Sequence, residues 1–326
     1  MTYKYKQRGF THIIMLVIFL VVIIGGLIFI ALNKSPKKAV LPGLTDSKEL
    51  NQKTDQAQGL SYESGLRLQP SDFGVTAGLP VADVSAVKLI DGSWRIYAFA
   101  QNKGIVSAIS KDGLTFTAEN GTRLGDGAGM PRIFKLDDGR YRLYFIDAGG
   151  ISSAISNDGL SFIKEPGKRI TAPSGVKDIS GISTPIKLND NKWHVYFSDL
   201  PRPGDGVKPH LIHSATSSDL LTWQLDEGYR IGGEKLSTSA EHPDAILNED
   251  GKVLLYYFVN QGKKLMTATS SDGLTFINPQ ETGLDCNDPN IVSLGTDSYR
   301  LYCGDFNQSI GGIVKSAKIT RLPNYP

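Results

Sequence analysis

Acidic residues that stand outside the repeated segments of this chain are those whose type and spacing could do chemistry. Some begin apolar, strand-like segments, and others end aromatic segments. Carboxyl groups that converge on one place can act as general acid and general base on a neutral sugar. They could equally hold a cation such as calcium, or only cap turns at strand starts. The residues are Asp83, Asp126, Asp147, Asp178, Asp199, Glu241, Asp285, Asp288 and Asp305.

Four copies of a seven-residue phrase close to Ser-x-Asp-Gly-Leu-Thr-Phe indicate which elements must position these acids. The copies are Ser110–Phe116, Ser156–Phe162, Ser217–Trp223 and Ser270–Phe276. A spacing of roughly 50 residues between strand-rich repeats is typical of a β-propeller with one blade per repeat. In each phrase the Asp can bond the backbone ahead of it, and the aromatic side chain can pack between neighbouring sheets. In three of the four, Gly after the Asp permits positive φ. We therefore interpret these four aspartates as structural.

The repeats predict an all-β, five-bladed β-propeller over residues 59–326. Each blade is read as four strands, A to D, and five A strands and five aromatic B strands can be counted. The chain ends after the third strand of blade 5, which leaves that blade without an outer strand. The segment 65–68 matches the Gly-x-Arg-Leu ending of the other D strands. We therefore expect residues 60–68 to supply the missing strand, close the ring and cover an exposed sheet edge.

The order of the strands decides which loops share a face. D-to-A links and B-to-C links lie on one face of the propeller, here called the mouth face. A-to-B hairpins and C-to-D turns, which include the four phrases, lie on the other, here called the far face. The acids outside the phrases are therefore expected to gather at the mouth of the central channel. The longest B-to-C loop, residues 200–209, belongs to the same face.

Residues 13–32 are apolar or small and carry no charge, which is long enough to cross a bilayer as a helix. We predict a transmembrane signal anchor there, a cytoplasmic segment 1–12, a polar tether 33–58 and a propeller on the extracytoplasmic side of the membrane. A cleaved signal peptide is the alternative. Residues 8–11 also resemble the start of a type IV prepilin, but Ile14 stands where pilins carry Glu.

The net charge of +2 conceals an uneven distribution. Six basic residues and no acids fall within the first 40 residues, so the remainder has 29 basic residues against 33 acidic ones. No basic face is implied, and no nucleic-acid partner is expected.

The chain has two cysteines, Cys286 and Cys303, both in the last repeat. Antiparallel pairing of strands A and B around the turn 295–298 would bring them together. A disulfide suits an exported domain, and two buried free thiols are the alternative.

The blade pattern from about residue 60 to the end, and phrases such as 215–223, resemble the five-bladed propeller glycosidases. The resemblance is above all to glycoside hydrolase family 43 and to the related families 32 and 130. It implies hydrolysis of glycosidic bonds by a base Asp in blade 1, an Asp in a later blade that tunes pKa, and an acid Glu in a Glu-x-Pro motif. Glu241-His242-Pro243 matches the acid motif, and Asp83 matches the base although Val84 follows it instead of Pro.

The third position of this set is less well matched, because blade 3 has no Asp-Pro. Asp178 is the residue chosen for it, with Asp126 as the substitute. An inverting mechanism would require the carboxyl groups of Asp83 and Glu241 to lie about 6.5–9.5 Å apart. The residues expected to bind substrate are His242, Asp126, Asp147, Asp199, Asp288 and Asp305.

Other functions remain open from the sequence. A propeller without catalysis could bind carbohydrate or a surface protein. The phrases also resemble the Asp boxes of sialidases, although they are one residue short, and five blades are counted where sialidases have six. No cofactor is required for acid/base hydrolysis, but a structural calcium ion could occupy the central channel. His210 and His213 could form a metal pair, although two ordinary strand residues explain them as well.

Overall fold

Five antiparallel sheets follow one another along the chain in the computed structural model. It describes residues 60–201, 208–233, 235–237, 239–259, 264–320 and 322. The A strand of each sheet lies innermost and contacts the A strands of the sheets before and after it. Blade 1 also contacts blade 5, so the ring is closed. The prediction of an all-β, five-bladed propeller is confirmed.

The blades have these strands, given from A to D. Blade 1 has Val81–Lys88, Trp94–Ala100, Gly104–Ser110 and Thr117–Ala118. Blade 2 has Gly129–Lys135, Tyr141–Asp147, Gly150–Ser156, and the short outer strands Ile163–Lys164 and Ile170–Thr171. Blade 3 has Asp178–Ile182 with Ile186–Lys187, then Trp193–Leu200, Ile212–Ser217 and Gln224–Leu225. Blade 4 has Glu241–Leu247, Val253–Val259, Lys264–Ser270 and Ile277–Glu281. Blade 5 has Pro289–Gly295, Ser298–Asn307, Gly311–Ile319 and, as its outer strand, Leu60–Tyr62. A 3₁₀ helix at Pro70–Phe73 links that outer strand to blade 1.

The middle strands of each blade are buried on both faces because each sheet packs between two others. In blade 4 every residue of Val253–Val259 is buried. The apolar clusters accordingly join residues of adjacent blades, as where Tyr97 of blade 1 packs with Ile133 and Leu143 of blade 2. Complete burial of a large apolar side chain contributes about 1.5–3 kcal/mol, so the blade-to-blade packing is a principal source of stability.

The repeated phrases hold neighbouring blades together on the far face. In the first phrase the carboxylate of Asp112 accepts hydrogen bonds from the backbone N–H groups of Leu114 and Thr115, and these bonds lower the pKa of Asp112 to about 2. The hydroxyl of Tyr302, on strand B of blade 5, donates to the carbonyl of Gly113, and its ring meets Phe116 edge-on. The aromatic side chains of the other phrases contact the preceding blades in the same way. The structural interpretation of the phrases is confirmed.

The N-terminal segment closes the ring as predicted, with a shorter strand. Leu60–Tyr62 pairs with 317–319, and Leu68 forms an isolated bridge with Val314. The carboxylate of Glu63 binds the guanidinium of Arg300 through two hydrogen bonds of 2.7 and 2.9 Å. Glu119 binds Arg95 in blade 1 in the same way. Glu63 therefore occupies the position of a D-strand residue, although it lies more than 230 residues from its partner in sequence.

Two expectations differ from the described structure or lie outside it. The repeat pattern of the sequence predicts that strand A of blade 3 begins at Ile182, but the strand begins at Asp178 and is interrupted before Ile186. The cytoplasmic segment 1–12, the anchor 13–32 and the tether 33–58 fall outside the described residues. Among residues 60–322, as far as they are described, no helix has the length and apolarity needed to span a membrane.

Candidate active site at the mouth of the propeller

The five A strands bring one residue each to the same level at the mouth of the channel. In each A strand, one residue pairs with a buried tyrosine of strand B, and the residue at the mouth lies two positions before it in the sequence. They are Asp83, Met130, Gly181, His242 and Asp288. In blades 1, 2 and 4 the pairing with strand B shifts by a residue here, and Asp83, Met130 and His242 adopt positive φ angles of 55°, 49° and 48°. Such strained backbone positions are concentrated at functional sites in proteins.

Asp83, His242 and Asp288, from blades 1, 4 and 5, form what we call the mouth group. Nδ1 of His242 lies 3.0 Å from Oδ1 of Asp288 and 3.8 Å from Oδ1 of Asp83. The three side chains are mostly buried but not sealed, with exposed fractions of 18%, 13% and 14% for His242, Asp288 and Asp83. Ionisable side chains from three separate blades therefore converge at one small opening.

The pair His242 and Asp288 is charged. Burial alone would lower the pKa of His242, but the charge of Asp288, the hydrogen bond to it and then the charge of Asp83 outweigh that effect and raise the pKa to about 9. Burial alone would raise the pKa of Asp288, but the charge of His242 and its hydrogen bond lower it overall. At neutral pH the pair is thus an imidazolium and a carboxylate.

Asp83 behaves differently from Asp288. Burial and then the negative charge of Asp288 raise the pKa of Asp83 to about 7, against the opposing charges of His242 and Arg132. One carboxyl group of the mouth group is thus ionised at neutral pH, whereas the other can gain or lose a proton there. Carboxyl groups held in such unlike states are characteristic of acid/base sites.

Two glycines make room for the mouth group. A Cβ atom on Gly304 would lie 2.5 Å from Oδ2 of Asp288, and one on Gly181 would lie 2.9 Å from Cα of His242. Neither distance is tolerated by real side chains. Gly181 is also the blade 3 residue at the level of Asp83, so blade 3 contributes no side chain to the mouth at this level.

A second ring of polar residues, here called the channel floor, lies directly below the mouth group. It consists of Ser85, Arg132, Ser183, Asp244 and Asn290, one from each blade. The guanidinium of Arg132 donates to the carbonyls of Val84, Ile182 and Pro289 at 2.6–2.9 Å, and lies 3.9 Å from Asp244. A single side chain of blade 2 thus contacts the other four blades.

Asp244 completes the floor from the opposite side. Its carboxylate accepts hydrogen bonds from the backbone of Thr184 in blade 3 and of Ile291 in blade 5. It also accepts one from the side chain of Asn290, whose oxygen in turn accepts from the backbone of Ala86 in blade 1. The floor is buried, and its hydrogen bonds fix the height and spacing of the A strands that carry the mouth group.

No model of a protein family matches the chain, and neither does any curated protein. Many solved structures resemble it. The likeness is one of fold.

Several of the similar structures are glycoside hydrolases. A family 117 glycoside hydrolase from Zobellia galactanivorans has a TM-score of 0.62 and 15% identity, over 82% of this chain and 92% of that one. A thermostable family 43 glycoside hydrolase has a TM-score of 0.60 and 15% identity, over 75% and 90%. An endo-1,4-β-xylanase from Bacteroides thetaiotaomicron has a TM-score of 0.55 and 17% identity, over 73% and 90%.

Glu241, the acid suggested by the Glu-x-Pro motif, directly precedes His242 at the mouth. Its side chain is 12% exposed, and Oε1 lies 3.9 Å from Nε2 of His210. Nδ1 of that imidazole lies 2.7 Å from the backbone carbonyl of Asp199, which orients the ring. The side chain of Glu241 therefore lies next to an imidazole of blade 3, one residue before His242 in strand A of blade 4.

The remaining residue of the predicted catalytic set lies apart from these groups. The carboxylate of Asp178 accepts hydrogen bonds from the backbone N–H groups of Gly149 and Ile179, at the outer start of strand A. Asp126, the substitute, is exposed and accepts a hydrogen bond from the backbone of Gly127. Neither joins the mouth group, so their predicted roles receive no support from the geometry.

Three acids expected to bind substrate end B strands and have ion-pair partners within their own blades. Asp147 pairs with Lys168, and Asp305 pairs with Lys315. Asp199 is buried and lies 3.2 Å from Nε2 of His213. Asp199 and Asp305 thus contact strand C of their own blades, and Asp147 contacts the segment just before the second outer strand of blade 2. Of the predicted binding residues, only His242 and Asp288 belong to the mouth group.

The mouth group is also the one set of three donors, within the described part of the chain, whose atoms all lie within 4.8 Å of one another. A calcium ion would find two carboxylates there, but calcium prefers oxygen ligands and the third group is a protonated imidazole. The mouth group thus offers calcium two carboxylates and no third oxygen-donating group, and the predicted calcium ion stays a prediction. His210 lies near the carboxylate of Glu241 in blade 4 and His213 near that of Asp199 in blade 3, and these separate partners favour their ordinary structural interpretation.

Raising the pH through the His242 titration is expected to destabilise the propeller. Folding raises the pKa of His242 from 6.5 to about 9, so its contribution is complete below pH 6.5 and is lost as the pH rises through 9. The loss is of order 3 kcal/mol. Urea unfolding of the wild type and of His242→Gln at several pH values between 6 and 10 measures it. Equal slopes for the two proteins over this range would contradict the assignment.

Sequence reasoning missed the channel floor and the central position of His242. A signal for Arg132 existed, because it is a charged residue inside an apolar A strand that follows Pro131. Asp244 stood in the sequence directly after the Glu-x-Pro motif, but its partners come from blades 3 and 5. Only the closed ring shows that these two residues meet.

Proposed function

We propose that this propeller is a glycoside hydrolase that binds carbohydrate at its mouth and cleaves a glycosidic bond by acid/base catalysis. The observation that carries the proposal is the mouth group, where Asp83 has a pKa of about 7 beside a charged pair from two other blades. The glycoside hydrolases that share the fold support the same class of reaction. The membrane anchor and the extracytoplasmic location belong to this proposal as the sequence suggested them.

Asp83 acts as the general base and Glu241 as the general acid in this proposal. Above its pKa, the carboxylate of Asp83 takes a proton from a water molecule, and the oxygen of that water bonds to the anomeric carbon. The glycosidic C–O bond breaks, and its oxygen takes a proton from Glu241. The imidazolium of His242 stands next to Asp83 and favours its ionised form.

The test uses leaving groups of different acidity. Glu241→Gln should lose hydrolysis of oligosaccharides by about 10²- to 10⁴-fold but keep most activity on aryl glycosides whose phenolate leaves without protonation. Purified protein is screened on oligosaccharides and on nitrophenyl and dinitrophenyl glycosides. Asp126→Asn, an exposed acid on the same face, is the control. Turnover that is unaffected by Glu241→Gln on every substrate would refute the assignment.

A non-catalytic, carbohydrate-binding propeller is the second candidate. The specific observation in its favour is Gly181, because blade 3 supplies no carboxylate at the level where blades 1 and 5 do. Glycan binding by the wild type without hydrolysis of any substrate in the panel would support this candidate and reject the first.

A further inference from the structure

Strand A of blade 5 differs from the other A strands at the mouth. In blades 1, 2 and 4 the pairing with strand B continues upstream of the mouth residue. Val81 pairs with Ala100 before Asp83, Gly129 pairs with Ile146 before Met130, and Glu241 pairs with Phe258 before His242. In blade 5 the pairing begins at Pro289, directly after Asp288, so no strand pairing holds the backbone upstream of Asp288.

A disulfide stands where the strand pairing stops. Cys286, two residues before Asp288, is bonded to Cys303, which lies opposite Pro289 on strand B. Both cysteines are completely buried, and their Cα atoms are 4.8 Å apart. One backbone hydrogen bond, from Asn287 to the carbonyl of Gly304, also ties this segment to strand B. Pro289 itself has no N–H group to donate.

Gly304, the residue after Cys303, supplies the surface on which Asp288 rests. Oδ2 of Asp288 would be only 2.5 Å from a Cβ at this position, so the carboxylate lies against the bare backbone of strand B. Gly304 does not adopt a positive φ angle, and it pairs with Val314 of strand C without a shift in register. The glycine is therefore needed for space and not for backbone conformation.

We propose that the Cys286–Cys303 disulfide and Gly304 form a seat that positions Asp288 against His242. The disulfide fixes the backbone on the upstream side of Asp288, as strand pairing does in the other blades, and Gly304 fixes the depth of the carboxylate. The catalytic consequence rests on the proposed function, whereas the positioning does not. Cys286, Cys303 and Gly304 are positioning residues, since they act on the mouth group through Asp288.

A purely stabilising disulfide is the competing explanation. A bridge between residues 17 positions apart can stabilise a folded protein simply by restricting its unfolded chain. The two explanations differ in what they predict for the imidazole of His242. Removal of a merely stabilising bridge would leave the distance from His242 to Asp288 unchanged in the folded protein. Removal of part of a seat would change that distance.

The experiment measures the pKa of His242 by NMR of its imidazole, together with thermal unfolding. Cys286→Ala/Cys303→Ala and, separately, Gly304→Ala are expected to lower the pKa of His242 by at least about one pH unit, because a charge partner is displaced. Gly304→Ala keeps the disulfide, so it tests whether Gly304 sets the depth of the Asp288 carboxylate even if the double variant does not fold.

Each variant has a matched control. Ile319→Ala removes a buried side chain from the same cluster, at the other end of blade 5, and should lower the melting temperature without moving the pKa of His242. Gly125→Ala adds a methyl group where nothing lies within 4 Å and should change neither quantity.

The outcomes separate the seat from the proposed function. A shift of less than about 0.3 pH unit in both seat variants would overturn the proposal. A decrease of about one pH unit in the pKa of His242 in Ile319→Ala would also overturn the proposal. If the seat variants lower the pKa of His242 but the wild type hydrolyses no glycoside, the seat is supported and the proposed hydrolase is rejected. If the wild type is a hydrolase, the seat predicts at least about a tenfold lower kcat in Gly304→Ala, with little change in KM.

Discussion

Replacing Asp83 by Asn is expected to lower kcat/KM for glycoside hydrolysis by about 10²- to 10⁴-fold. The amide has the shape of the carboxyl group but cannot accept a proton from water at neutral pH. Asp83 comes from blade 1, and its pKa of about 7 places its ionisation in the working range of pH. The wild-type rate should therefore rise as the pH increases through about 7.

The pH profile separates this role from a structural one. A base with a pKa of about 7 predicts that the acidic limb of the wild-type profile is absent from the residual activity of Asp83→Asn. Asp126→Asn, on an exposed residue of the mouth face, should keep both the rate and the profile. An Asp83→Asn protein with wild-type kcat/KM, or with the same acidic limb, would show that another group is the base.

Replacing Asp244 by Ala is expected to lower the free energy of unfolding by about 3–5 kcal/mol. Asp244 is completely buried, and its carboxylate joins blades 3, 4 and 5 and faces the guanidinium of Arg132. Removal of the carboxylate leaves a buried charge and three donors without a partner, which is the costly case for a buried ion pair. The change should therefore be among the most destabilising single substitutions in the protein.

An exposed ion pair of the same composition provides the control. Asp138 and Arg140 lie on the far face with about half of each side chain exposed, at a distance of 2.7 Å. Asp138→Ala should leave the free energy of unfolding close to the wild-type value, because solvent screens this pair. Chemical denaturation of the two variants measures both values. A loss of stability from Asp244→Ala no greater than that from Asp138→Ala would contradict the role of the channel floor.

The sequence allowed the architecture to be predicted because its information is local and repeated. The phrase at Ser110–Phe116 contains its own turn chemistry, and each later copy repeats the same bonds. The closing strand could be predicted because the segment 65–68 repeats an ending found in other blades. The assignment of loops to two faces followed from strand order alone.

The candidate site was predicted only in part, because side-chain direction at the mouth depends on irregular backbone. The pairing shift at Asp83 and at His242 turns these side chains toward the channel, and no sequence pattern marks such a shift. A slip of one residue moves a side chain to the other face of a strand. Asp178 looked equivalent to Asp83 by its place at a strand start, but Gly181 occupies the equivalent level.

The charge states at the mouth also could not be predicted from the sequence. Asp83, His242 and Asp288 are separated by more than 40 residues from one another, and their pKa values depend on distances of 3–4 Å across three blades. The same holds for Arg132, whose hydrogen-bond acceptors lie about 50 to 157 residues away.

The guanidinium of Arg132 restricts what can pass along the central channel of the propeller. Because it spans the axis and contacts all four other blades, the propeller is a cup and not a tube. Whatever enters from the rim must leave by the same route, and a polymer cannot be threaded along the axis. A long chain could present only its terminus to the bottom of the cup, or else lie across the rim.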